Sequence, residues 1–254
     1  MIDISVPVAV LLGLIGIAGG IGITAVGPGG VLPTIGLFAL TDLSPSAVAG
    51  TAIVTHVATG LVGTAAYHRS GQLQRPATRR TAGWLAGAAL LGTPAGIMIN
   101  SALSPRWFGV VLAVLIIAAA VLVLVRQLRR NPFGVRHPPV PLVAAIGLLV
   151  GVAAGVIGIG GPMLTVPLLV AAGTDILEAL AAAQVQSVII SGVGTIGYLA
   201  QGAVDWRLAG IVGIPELIGV LIGWRIAHAL PTKVLRYALV IMMLGLAPYL
   251  AFAH

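Results

Sequence analysis

The chain has 254 residues, of which 59% are hydrophobic and only 7% are Asp, Glu, Lys or Arg, and its formal net charge is +7. A soluble domain carries roughly a quarter charged residues, so this composition excludes a water-soluble globular fold of this size. The absence of cysteine also excludes disulfides and thiolate metal sites. The basic excess lies in two short loops, which does not indicate a nucleic-acid partner. The chain is therefore expected to be embedded in membrane lipid.

Apolar segments of about twenty residues, the length of a bilayer-crossing helix, recur along the chain. They predict an all-α, polytopic membrane protein with about eight full transmembrane helices, near 5–26, 45–67, 82–101, 106–126, 140–157, 177–199, 208–229 and 234–252. Two further apolar stretches, 31–40 and 163–172, are too short to cross as helices. Each follows a glycine-proline cluster, so we expect two broken or re-entrant segments. The first span is expected to be retained, because no basic region precedes it.

A constant offset of 131 residues relates the two halves of the sequence. It holds over some 45 residues, which favours an internal duplication over chance similarity between apolar helices. The predicted organisation is repeat 1 at 1–126, a basic cytoplasmic linker at 127–139, and repeat 2 at 140–254. The matched pairs include Gly27 with Gly158, Gly29 with Gly160, Gly30 with Gly161, Tyr67 with Tyr198, and Gly71 with Gly202.

Two basic segments, 68–80 and 126–136, indicate the cytoplasmic face by the positive-inside rule. If the short stretches re-enter, each half has four crossings and the repeats are parallel. If the short stretches help to complete a crossing, each half has an odd count and the repeats are inverted. The inverted arrangement places Lys233 and Arg236 inside and Asp205 outside, so it is the one we expect.

The two glycine clusters are candidates for a binding site near the middle of the membrane. Broken backbone is tolerated there only where it lines a cavity or meets a ligand, and the N–H groups that open a helix suit an anion. Matched breaks in two repeats are the usual sequence indication of a transport site. Close helix packing is the alternative explanation of these glycines. The substrate-binding candidates in the clusters are Gly27, Gly29, Gly30, Gly158, Gly160 and Gly161.

The apolar helix after each break carries an unusual number of polar side chains. Hydroxyls, amides and imidazole can donate hydrogen bonds to oxyanion oxygens, although hydrogen bonding between helices is an equal alternative for any one residue. The candidate substrate-binding residues are Thr51, Thr55 and His56 in the first half, and Gln184, Gln186 and Ser187 in the second.

Glu216 is the deepest carboxyl in any predicted span, about eight residues from the start of its helix. Ionisable groups inside a membrane are costly and are functional candidates by default, so Glu216 is the candidate for proton coupling. A protonated carboxyl that only bonds neighbouring helices is the alternative. The sequence contains no nucleophile elbow, Walker loop or zinc-protease motif, so we expect no enzyme activity, catalytic residue, metal or cofactor.

Several motifs resemble the sulfite exporter TauE/SafE family. They are the glycine-rich breaks, Ala49-Gly50-Thr51, Gly71, Gly160-Gly161-Pro162 and, most specifically, Gly202-Ala203-Val204-Asp205-Trp206. The second half departs from the family's usual Thr-Ser pair, with Ala183-Gln184-Val185-Gln186 in its place. The resemblance implies a plasma-membrane exporter of sulfite, a sulfonate or a related small sulfur-containing anion. With no nucleotide motif, a gradient-driven secondary transporter is expected, with protons as a possible coupling ion and a passive anion channel as the alternative.

Overall fold

The computed structural model describes residues 4–128, 138–235, 237–239 and 241–242. Within this part of the chain the structure is helical and contains no strand, so the all-α prediction is confirmed. The α-helices are α1 Val6–Ala25, α2 Val31–Leu40, α3 Pro45–Arg69, α4 Pro76–Ser101, α5 Pro105–Leu128, α6 Val140–Ile157, α7 Pro162–Ala171, α8 Ile176–Ala200 and α9 Trp206–Ala229.

Six of these helices are long and apolar enough to cross a membrane, which confirms the polytopic prediction. They are α1, α3, α4, α6, α8 and α9. The predicted span at 106–126 coincides with α5, which runs from Pro105 to Leu128. The last predicted span, 234–252, and the linker at 127–139 lie largely outside the described residues, so the total of eight spans stays a prediction.

The two short segments are helices of ten residues each, α2 and α7. Each follows a sharp break in the chain, and the break takes a backbone conformation that only glycine adopts freely. Gly27 has φ +111° after α1, and Gly158 has φ +72° after α6. Pro28–Gly30 then form a single 3-10 turn before α2, while Pro162 opens α7. The breaks therefore redirect the chain from a long helix into a short one.

The predicted basic loop at 68–80 is shorter than expected. Helix α3 continues through Arg69, and α4 already begins at Pro76. Proline is favoured at the first helical position because its fixed φ and missing N–H cost nothing there. Arg79 and Arg80 therefore lie on the first turns of α4, where both side chains are exposed. The prediction from apolar length placed the start of α4 too late, because the apolar segment does not include the charged first turns of the helix.

The first α-helix of each half packs against the fourth α-helix of the other half, which pairs α1 with α9 and α6 with α4. A Cβ on Gly16 of α1 would collide with the backbone carbonyl of Val212 on α9, and one on Gly223 of α9 would collide with that of Ile21 on α1. The residue numbers of the contacting positions increase in the same direction along both helices, so α1 and α9 run parallel. Helices α4 and α6 form the matching pair, with the Leu148 carbonyl against Gly92. Glycine permits this close approach, as is common between helices in membranes.

Helices α3 and α8 cross antiparallel at the centre. Gly50 and Gly63 of α3 face Tyr198 and Gln184 of α8, respectively. The two helices span 45–69 and 176–200, which differ by the offset of 131 at both ends. Equivalent helices therefore run in opposite directions, which favours the inverted arrangement.

Two hydrogen bonds repeat at the same offset. The Tyr67 hydroxyl donates to the Thr24 carbonyl at 2.6 Å, and the Tyr198 hydroxyl donates to the Gly155 carbonyl at 2.5 Å. Each bond ties the end of a central helix to the end of the preceding long helix. These matches favour the duplication and its boundaries, which stay predictions.

Candidate functional site

His56 lies in the middle of α3, where the first glycine break approaches it, and only 1% of its surface is exposed. Its Nδ1 lies 2.7 Å from the carbonyl oxygen of Ala52, one turn earlier in the same helix. Its Nε2 lies 3.2 Å from the carbonyl oxygen of Gly30, at the start of α2. The imidazole ring therefore connects α3 to the break of the first half.

Gly160, in the break of the second half, faces the same ring. A Cβ added to Gly160 would lie 2.7 Å from Ser187 Oγ and 2.8 Å from His56 Cδ2. Ser187 lies on α8 at the position that the offset of 131 matches with His56. The two breaks and the two central helices therefore meet at one buried point, formed by Gly30, His56, Gly160 and Ser187.

Glu216 reaches this point from α9. Its side chain is fully buried, and its Oε1 lies 3.6 Å from His56 Nε2. Neither carboxyl oxygen accepts or donates a hydrogen bond within the described part of the chain. Thr55 is the other polar neighbour of the carboxyl, but its hydroxyl donates to the Ala52 carbonyl at 2.9 Å. A buried carboxyl next to an imidazole is thus left with the imidazole as its main polar partner.

The two predicted glutamines of α8 are buried but differ in their partners. Gln186 accepts a hydrogen bond from Thr165 at 2.5 Å, and its amide nitrogen lies 3.5 Å from the Gly147 carbonyl. Gln184 donates to the Ile23 carbonyl at 3.3 Å, while its Oε1 has no partner among the described residues. The amide of Gln186 already ties α8 to α6 and α7, whereas that of Gln184 keeps one unused acceptor.

The other predicted glycines divide into two groups. Gly161 lies beside a polar side chain, since an added Cβ would be 3.2 Å from Gln186 Oε1. Gly27, Gly29 and Gly158 contact backbone or apolar groups instead: Gly27 meets α7, Gly29 meets α1, and Gly158 meets Ala49 of α3. The contacts of this second group are those of close packing.

Thr51 is the predicted residue that the structure places farthest from His56 along α3. Five residues separate them, or about 7.5 Å at 1.5 Å per residue. The Thr51 hydroxyl accepts a hydrogen bond from the backbone N–H of Asp205 at 2.9 Å. Asp205 in turn caps α9 by accepting from the N–H of Leu208 at 3.0 Å. Thr51 therefore holds the start of α9, and with it the Gly202–Trp206 motif, against α3.

Comparison with known proteins identifies the family. The family described as Sulfite exporter TauE/SafE matches residues 8–250, which is nearly the whole chain. The chain belongs to this family. It is also similar to the probable membrane transporter protein YdhB of Bacillus subtilis (strain 168), with 24% identity over 224 residues, covering 84% of this chain and 88% of that protein. No solved structure matches it significantly.

Membership in the TauE/SafE family makes this chain a multi-pass membrane transporter of the plasma membrane, and not an enzyme. The predictions of family, transporter class and membrane location are confirmed. The substrate, the direction of transport and the residues that bind the substrate are not given by these matches.

One charged contact in this transporter escaped sequence reasoning. Glu178, near the start of α8, is buried, and its Oε1 accepts from Arg75 Nη1 at 2.6 Å. Arg75 directly precedes α4 and is mostly exposed. The pair joins the two halves at the basic end of the molecule. The sequence shows an arginine just before Pro76 and a glutamate in the first turn of a predicted helix. It does not show that these two residues, 103 positions apart, form an ion pair.

Proposed function

We propose that this TauE/SafE-family transporter is a secondary transporter, acting as an exporter, of a small anion such as sulfite, a sulfonate or a related organosulfur anion. The anion binds where the two glycine breaks meet the two central helices. The observation that carries the proposal is the convergence of His56, Ser187 and Gly160 from both halves on one buried point.

The chemistry of this point suits an oxyanion. The imidazole of His56 and the hydroxyl of Ser187 are hydrogen-bond donors, and both side chains are 99% buried. The first N–H groups of α7 have no acceptor within their own helix, and the positive end of its dipole favours negative charge. Donors aimed at one point in a medium of low dielectric constant interact with charge more strongly than they would in water.

The inverted arrangement that the helix directions favour would make this point accessible from either side in turn. A site between two inverted halves lies near the middle of the membrane, and movement of the closely packed α1–α9 and α4–α6 pairs against the central helices would expose it alternately. No nucleotide-binding motif is present in the sequence. The driving force is therefore the gradient of the anion or of an ion that moves with it.

Counterflow in proteoliposomes tests the proposal. Vesicles loaded with unlabelled sulfite should accumulate labelled sulfite transiently, because a carrier exchanges its substrate across the membrane. Parallel vesicles loaded with methanesulfonate test the sulfonate class. His56→Gln and Ser187→Ala should abolish or strongly reduce counterflow. Ser101→Ala is the matched control, because Ser101 is exposed and bonds only to its own helix at Met98.

Three results would count against the proposal. Conduction of the anion without counterflow would show that the protein is a passive channel. Absence of both would exclude these anions as substrates. Full counterflow by the His56 and Ser187 variants would move the binding site elsewhere.

A further inference from the structure

Each ring nitrogen of His56 faces a backbone carbonyl, which can only accept hydrogen bonds, and the Thr55 hydroxyl, 3.4 Å from Nδ1, donates to the Ala52 carbonyl instead. Nδ1 lies 2.7 Å from the Ala52 carbonyl and Nε2 lies 3.2 Å from the Gly30 carbonyl. A neutral imidazole carries one N–H, so it would leave one nitrogen lone pair against a carbonyl lone pair. An imidazolium carries two N–H groups and satisfies both contacts. The geometry therefore fits the positively charged form of His56.

An isolated charge in this interior would be prohibitively costly, and Glu216 supplies the opposite charge. Its Oε1 is 3.6 Å from His56 Nε2, and the other polar side chain beside it in the described structure is Thr55, whose hydroxyl donates to the Ala52 carbonyl. A buried ion pair is tolerable when each charge compensates the other, whereas a single buried charge is strongly destabilising. His56 and Glu216 together are neutral, although neither alone would be.

Among the residues that the structure describes, no other ionisable group faces this pair from the helices packed against it. Helix α1, whose Gly16 and Gly20 contact α9 at Glu216, contains no ionisable residue, and neither do α2, α6 and α7. On α3 the remaining ionisable residues are at its far end, from Tyr67 onward. On α8 the nearest is Glu178, nine residues from Ser187, and on α9 Arg207 and Arg225 are each nine residues from Glu216. Nine residues span about 13 Å.

We propose that the carboxylate of Glu216 occupies the place of the substrate in the empty transporter, as the counter-anion of His56, and that each monoanion bound displaces it and brings one proton onto it. This inference rests on the proposed anion site. The bound anion becomes the partner of the imidazolium. Glu216 then loses its compensating charge, takes a proton from solution and becomes neutral.

Charge balance requires the proton. The empty site holds one positive and one negative charge. An added anion without a proton would leave two negative charges beside one imidazolium in a buried space. With the proton on Glu216, the loaded site is again neutral. The transporter would thus move one proton with each monoanion, and loss of that proton would let Glu216 compete with the anion and drive its release.

The test is the pH dependence of anion affinity in purified protein, with methanesulfonate as the probe because it stays a monoanion over the whole range. Uptake of one proton per anion makes the dissociation constant of the wild type rise about tenfold for each unit of pH, or about a hundredfold between about pH 6 and about pH 8. Weakly buffered solution should become more alkaline on binding, by about one proton per site. Dilution of the complex, which dissociates the anion, should release the same number of protons.

Glu216→Gln removes the competing carboxylate while keeping size and shape. Anion binding to the wild type should bring up the infrared C=O stretch of a newly protonated carboxyl, and this band should be missing from the variant, in which His56 has no counter-anion in the empty site and charge balance sends the proton to the imidazole instead. The matched control is Glu178→Gln, since Glu178 is also a buried helical carboxyl but lies near the basic end, paired with Arg75. It should keep both the carboxyl band and the slope of the wild type.

Each outcome separates the inference from the proposed function. Wild-type protein that binds methanesulfonate with a flat pH profile and no proton uptake overturns the inference but leaves the anion site intact. So does a carboxyl band that fails to appear in the wild type on binding, or that Glu216→Gln leaves unchanged, since Glu216 would then not be the group that takes up the proton. If the wild type binds neither methanesulfonate nor sulfite, the proposed function itself fails. The wild-type measurements decide the matter even if the variant does not fold.

Discussion

Gly160→Ala adds one methyl group at the point where the two halves meet. The new Cβ would lie 2.7 Å from Ser187 Oγ and 2.8 Å from His56 Cδ2. An ordinary contact begins near 3.4 Å, so the two side chains must retreat by about 0.7 and about 0.6 Å. Ser187 and His56 are both 99% buried, and the ring is held on two sides by carbonyls, so this movement has little room. Overpacking of a close-packed interior costs about 1–3 kcal/mol.

That cost should appear in anion affinity, because the groups displaced are the proposed ligands. We expect methanesulfonate to bind about 5- to 150-fold more weakly, the range that corresponds to 1–3 kcal/mol. Thermal unfolding of the purified protein measures how much of the cost falls on stability instead. Gly192→Ala is the control, because Gly192 is on the same central helix α8 as Ser187 but an added Cβ meets nothing within 4 Å. Affinity equal to that of the control would refute the assignment of Gly160 to the site.

Two other predictions use different measurements. Gln186→Leu removes an amide that Thr165 and Gly147 already engage. If Gln186 also binds the anion, the binding free energy should fall by about 1.5–3 kcal/mol, or about ten- to a hundredfold in affinity. Lower thermal stability with unchanged anion affinity would instead assign Gln186 to helix packing. Tyr67→Phe and Tyr198→Phe each leave a buried carbonyl without its donor, so each should lower the free energy of unfolding by about 1–3 kcal/mol. Clearly unequal losses would contradict the equivalence of the two positions.

The helical framework was predictable because its signals are local. Apolar length gave the helices that cross, and the glycine-proline clusters gave the two short ones, with α2 at the predicted residues 31–40. Helix ends were less predictable, because proline, rather than the edge of the apolar run, decides where a helix begins. For α4 this moved the start from residue 82 to Pro76.

The site was predictable only in part, because contacts between distant segments carry no local signal. Sequence reasoning selected His56 as a polar side chain on the helix after the break and Glu216 as the deepest carboxyl, but their 3.6 Å approach depends on how α9 lies against α3. It also treated all six break glycines alike. The structure separates Gly160, which faces His56, from Gly29, which faces the backbone of α1. A glycine looks the same in the sequence whether it makes room for a ligand or for a helix.

The packing of α9 connects the carboxyl of Glu216 to a larger movement. Helix α9 rests on α1 through close glycine contacts, where an added Cβ on Gly20 would collide with the Glu216 backbone. Such glycine contacts fix two helices together closely, so α1 and α9 would move as one unit although the offset assigns them to different halves. His56 is on α3, which is bonded to the break of the first half through Gly30. Any displacement of the α1–α9 unit against α3 therefore changes the distance between carboxyl and imidazole directly. If the anion displaces Glu216 as proposed, its binding would therefore be coupled to the relative position of the helices that open or close the site.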